Sequence, residues 1–110
     1  MIVREFLTRD GVSPFRRWLA TLELTARARV QARVFRFELG NLGDHKSLGK
    51  GVWEARLDFG SGYRLYFGRL GPGAIVLLIG GDKRSQQGDI DFAKRAWAEL
   101  SRGMKHGKAH

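Results

Sequence analysis

The 110-residue sequence contains no cysteine, which excludes a disulfide framework, a thiolate metal site and a cysteine nucleophile. Histidine is scarce as well: His45, His106 and His110 are the three, two of them close to the C-terminus. Metal catalysis and a bound cofactor are therefore not expected. No stretch approaches the roughly 20 apolar residues that a membrane span requires, and the N-terminus lacks the charged segment and apolar run of a secretion signal. A cytoplasmic location without membrane association is the expectation. Negative charge is also thin: 11 Asp and Glu stand against 20 Lys and Arg, a net charge of +9, and 14 of the cations are arginine. Arginine forms planar, two-pronged hydrogen bonds to phosphate, so this balance favours a nucleic-acid or acidic-protein partner over a small neutral substrate.

What remains is a chain with 43% hydrophobic and 28% charged residues, inside the globular range. Its length suits one domain, expected over residues 1–102, with an aperiodic, frayed tail over 103–110. Residues 2–7 read as a short first strand. Ser13 and Pro14 open a helix with Phe15, Trp18, Leu19 and Leu22 on its buried stripe. Thr25 is the expected cap of a second helix ending near Gly40, with Ala26, Val30, Val34 and Phe37 on one face. Arg29, Arg33 and Arg36 form a second stripe along its edge, suited to an acidic partner or to RNA. Residues 41–50 read as a loop exposing Lys46 and Lys50.

The segment 52–59 alternates strictly, so Trp53, Ala55, Leu57 and Phe59 share one strand face and Glu54, Arg56 and Asp58 the other. Gly60-Ser61-Gly62 reads as a three-residue hairpin loop, which predicts Asp58 opposite Arg64 and Arg56 opposite Tyr66. Six apolar residues, 74–79, predict a strand buried on both faces. The last helix follows Ser85, with Ile90, Ala93, Trp97 and Leu100 as its packing stripe. The predicted order is β-α-α-β-β-β-α, an α+β domain with a mostly antiparallel sheet and helices packed on one face. Antiparallel pairing of the last two strands brings Lys83 to Arg64 and Tyr63, so cations far apart in sequence converge where an anion would be bound.

The string GVWEARLDFGSGYRLYF (51–67), followed by Gly80-Gly81-Asp82-Lys83 and Asp89-Ile90-Asp91-Phe92-Ala93-Lys94, resembles the RelE/ParE toxins of bacterial type II toxin–antitoxin modules. It is most similar to the HigB-like addiction-module killer branch and its phage relatives. Phe15-x-x-Trp18-Leu19 and Glu38-Leu39-Gly40-Asn41 belong to the same resemblance, which spans residues 6–100. It implies a RelE-like fold and a small, metal-independent, ribosome-dependent endoribonuclease. Such an mRNA interferase blocks translation, arrests growth, and is silenced by a cognate antitoxin, here a helix-turn-helix protein of the HigA type.

The resemblance places Arg64 and Lys83 as transition-state stabilisers and Arg56 as the residue positioning the scissile phosphate, with Glu54 or Lys83 accepting the 2′ proton. Lys46, Lys50, Tyr63, Tyr66 and Arg84 are the expected RNA contacts, and Arg29, Arg33 and Arg36 the expected antitoxin or ribosomal RNA contacts. The ParE branch shares the fold without the nuclease residues and poisons DNA gyrase, which is the alternative reading. The family's C-terminal catalytic tyrosine or histidine has no counterpart in a defined frame, so no general acid is assigned.

Overall fold

The computed structural model describes the backbone of residues 1–108 and the side chains of residues 1–103. It is an α+β domain. The elements are β1 (Ile2–Glu5), α1 (Pro14–Thr21), α2 (Leu24–Glu38), β2 (His45–Gly49), β3 (Val52–Arg56), β4 (Arg64–Arg69), β5 (Ala74–Gly81) and α3 (Gln86–Lys108). The five strands form one mixed sheet in the order β1-β5-β4-β3-β2. Only β1, which runs parallel to β5, departs from antiparallel pairing.

The helices cover both faces of the sheet, not one. On the first face α1 and α2 bury Phe15, Leu19, Val30 and Phe37 against Leu65, Phe67 and Leu77. On the second, Ala93, Ala96 and Trp97 of α3 close over Val52, Tyr66 and Leu78. Two glycines allow these close approaches: a Cβ at Gly80 would overlap the Trp18 ring, and one at Gly68 would overlap Trp97 on the opposite face. The strand patterns match this double cover, since β4 and β5 are buried nearly throughout. Glu54 of β3, on the α3 side, is thus enclosed rather than presented to water.

Four local expectations change. Residues 45–49, expected as loop, form edge strand β2, paired with Ala55 through Val52. An edge strand needs no apolar alternation, so its sequence carries little strand signal. Strand β3 ends at Arg56, and the hairpin register is displaced by two: Arg56 lies opposite Arg64, and Glu54 opposite Tyr66. A two-residue displacement keeps every side chain on its expected face. The wider loop lets Phe59 fold back on Tyr63, ring centroids 5.2 Å apart, under the Arg29 guanidinium at 5.1 Å. Those contacts replace the further ladder pairs.

Ser13 caps α1 as expected, accepting from the Arg16 N–H at 3.1 Å. Helix α2, however, begins at Leu24 with Glu23 at its N-cap, so Thr25 lies inside the first turn. Helix α3 runs on to Lys108 instead of ending near Leu100. Residues 109–110, the end of the expected tail, lie outside the described residues.

Candidate functional site

Two rows of side chains cross the sheet at the end where the β3–β4 hairpin turns. In one, Lys46, Glu54, Tyr66 and Ile79 are successive cross-strand partners. In the next, Arg56 faces Arg64, which faces Gly81. Like charges placed directly opposite destabilise a sheet. Here each arginine has its own carboxylate: Asp44 lies beside Arg56 and Glu54 beside Arg64.

Arg64 is nearly buried, with 10% of its side chain exposed. Its Nη1 donates to the Gly62 carbonyl at 2.7 Å, and its Nε lies 3.6 Å from Glu54 Oε2, an ion pair too long to be a hydrogen bond. Glu54 has no exposed surface. It accepts from Gln86 Nε2 at 3.2 Å, and Lys46 Nζ stands 3.8 Å from its other oxygen. Glu54 Oε1, Arg64 Nε and Tyr66 Oη are all buried without a hydrogen-bond partner. Burial first, then the neighbouring Glu54 carboxylate, push the Tyr66 hydroxyl well above the usual phenol range. Tyr66 is a neutral, enclosed group, unavailable for stacking on a base.

Lys83 is exposed just past the end of β5. Its backbone N–H donates to the Ser61 carbonyl at 3.3 Å, which ties it to the hairpin loop. A Cβ built on Gly62 would lie 3.2 Å from Arg64 Nη1 and 3.6 Å from the Lys83 Cβ, so these three residues adjoin. Beside them opens a cleft of about 600 Å³ lined by Trp18, Tyr63, Ser61, Asp82, Arg84 and Ser85. Tyr63 and Arg84, expected RNA contacts, meet there. Asp82 is held below the ordinary carboxylate range despite some desolvation, because the Arg84 guanidinium and the Arg84 and Ser85 N–H groups donate to it.

Arg56 points elsewhere. It is exposed, pairs with Asp44 at 3.6 Å, and lines a smaller depression of about 380 Å³ with Arg29, Arg36 and Phe59. Arg33, expected beside them as a contact residue, is buried. Its guanidinium donates to the carbonyls of Arg56 at 2.7 Å, Leu42 at 3.0 Å and Asp44 at 2.9 Å, fastening α2 to the start of β2 and the end of β3. Lys50 also falls outside the cluster, because it sits in the β2–β3 turn at the opposite end of β3 from Arg56. Among the described residues no three His, Asp or Glu side chains gather where they could hold a metal ion.

No family model matches the chain. A protein of Haemophilus influenzae described as uncharacterized is 44% identical over 87 residues, covering 78% of this chain and 88% of its own length. This chain belongs to that protein's family. The kinship runs through most of both chains.

Sequence reasoning missed Gln86 and Asp44. Gln86 reaches Glu54 across 32 positions, and Asp44, in the segment expected as loop, stands just ahead of β2 beside Arg56. Asp58, expected opposite Arg64, is an exposed loop residue once the register is displaced. Only the depth of the hairpin loop separates the two arrangements, and no residue pattern encodes that depth.

Proposed function

We propose that this chain is a RelE/ParE-type toxin of a bacterial type II toxin–antitoxin module, a metal-independent endoribonuclease that cuts messenger RNA on the ribosome and is silenced by a cognate helix-turn-helix antitoxin. The observation that carries this reading is the adjacency of the nearly buried Arg64 guanidinium and the exposed Lys83 at the hairpin loop, beside an open cleft. Cations gathered at such close quarters are stabilised by a bound polyanion. The RelE-like fold is part of the same proposal and is supported by the α+β order with a mixed sheet.

In this reading the ribose 2′-hydroxyl passes its proton to water as its oxygen attacks the adjacent phosphorus, and the 5′-oxygen leaves taking a proton from water, giving a 2′,3′-cyclic phosphate and a 5′-hydroxyl end. Arg64 and Lys83 stabilise the charge that builds on the phosphate oxygens, an effect of about 10²- to 10³-fold for one well-placed donor. Arg56 holds the neighbouring backbone, and Tyr63 with Arg84 offers a platform and a cation for the next nucleotide. Glu54 takes a different role from the expected one. Fully enclosed and engaged by Gln86, it fixes the Arg64 guanidinium and does not itself reach the 2′-hydroxyl.

The enclosure of Glu54 and Tyr66 under α3 favours one alternative, a ParE-type toxin that grips DNA gyrase, because it withdraws these two acid–base candidates from the surface beside the cations. Mapping messenger RNA ends in cells shortly after induction separates the two. The nuclease reading expects new ends from the wild type and none from an Arg64→Ala/Lys83→Ala variant. Intact messages together with DNA damage would transfer the assignment to gyrase.

A further inference from the structure

Helix α2 is apolar on two faces. Ala26, Val30 and Phe37 are buried against the sheet. On the side away from it, Leu24, Phe35 and Leu39 are 77%, 57% and 71% exposed. Ala28 and Ala32 are exposed between them. At the helical 100° per residue these five side chains fall within an arc of about 80°, and the stripe is about 22 Å long. A helix with one buried face ordinarily turns polar residues outward, so a second apolar stripe of this length marks a surface that another element covers.

Charge identifies the occupant. Arg29 and Arg36, both exposed, line one flank of the stripe at a spacing of two turns. A second copy of the chain would bring the same arginines and the same net charge of +9 against them. An acidic helix brings the complement. We propose that the outer face of α2 docks an acidic amphipathic helix of a partner protein, with apolar side chains on Leu24, Phe35 and Leu39 and carboxylates toward Arg29 and Arg36. The proposal rests on the toxin reading only in making the antitoxin the natural bearer of that helix. None of Leu24, Arg29, Phe35, Arg36 and Leu39 lines the cleft beside Arg64 and Lys83, although Glu23, the neighbour of Leu24, does.

The test titrates the full chain with a labelled synthetic peptide of about five helical turns, carrying leucine at its a and d positions and glutamate and alanine elsewhere. A second peptide has the same composition with its leucines dispersed around the helix. The patterned peptide should bind at least about tenfold more tightly than the dispersed one, and Leu24→Ser/Phe35→Ser/Leu39→Ser should erase that advantage. Should that variant unfold, as its unfolding midpoint would reveal, Arg29→Glu/Arg36→Glu replaces it and should weaken binding of the patterned peptide by a similar factor. Equal binding of the two peptides overturns the proposal, as does an advantage that survives substitution. Concentration-dependent self-association abolished by the serine variant would overturn it too, in favour of a second copy. Growth arrest is the separate readout: the serine variant retains it, whereas failure of the toxin reading appears as a wild-type chain that arrests nothing.

Discussion

Two buried arginines on opposite sides of the sheet show how differently one residue type can be used. Arg33 spends its guanidinium on three backbone carbonyls at 2.7 to 3.0 Å, neutral acceptors that fit its fork. Burial lowers its pKa, with Arg36 adding to the effect, yet a guanidinium stays charged. Arg64 has one carbonyl, a carboxylate at 3.6 Å, a buried Nε with no partner, and an exposed lysine nearby. Arg33 also has a buried Nε without a partner, but both of its terminal nitrogens are engaged by carbonyls, and this first arrangement serves the fold. The second is incompletely satisfied and suits a group that completes its bonding on a bound anion.

The comparison is breakable in order of effect on stability. Arg33→Ala strands three carbonyls and should cost about 3 kcal/mol in urea unfolding, with no single second-site change restoring it. Arg64→Leu should cost about 2 kcal/mol, since it removes one of the groups facing the enclosed Glu54 carboxylate while Gln86 and Lys46 stay in place. Adding Glu54→Leu should recover most of that loss without restoring growth arrest; a double variant as unstable as the single one would show that the pair is structural in the manner of Arg33.

A surface pair supplies the reference. Glu5 accepts from Arg16 Nε at 3.1 Å, and this hydrogen bonding, opposed by partial burial, holds its carboxyl below the ordinary range. The ionised form is the one the fold favours, so its stabilisation is present above the unfolded value and is lost as pH falls through the lowered folded one. Glu5→Gln should cost about 0.5 kcal/mol at neutral pH, the pair being largely solvent-exposed, and nothing once the pH lies below both values. A cost that persists in acid would point to packing. The smallest effect belongs to Lys83→Ala, within about 0.5 kcal/mol of wild type by unfolding, yet with clear loss of growth arrest. Toxicity equal to wild type would remove Lys83 from the site.

Much of this was legible in the residues. Of the alternating segment 52–59, Trp53, Ala55 and Leu57 share the expected face, and the helical stripes of Phe15 and Leu19, Val30 and Phe37, and Ala93 and Trp97 all point into the core. Lys83 was placed beside Arg64 by strand direction alone. Strand β2 was not legible, because an edge strand can be polar throughout. Nor was the burial of Arg33: its spacing with Arg29 and Arg36 looks like one stripe, and only the carbonyls of residues 42, 44 and 56 distinguish the middle member.

Chain order and side-chain period therefore determined which residues share a face, because both follow from local backbone geometry. Whether a polar face meets water or a third helix was decided only in three dimensions. Helix α3 crosses over β3 and β4, and with that crossing Glu54 changed from an exposed carboxylate into an enclosed counter-ion. No local pattern in β3 carries that outcome. It depends on Trp97 finding Gly68, 29 positions away, with no side chain there to keep it off.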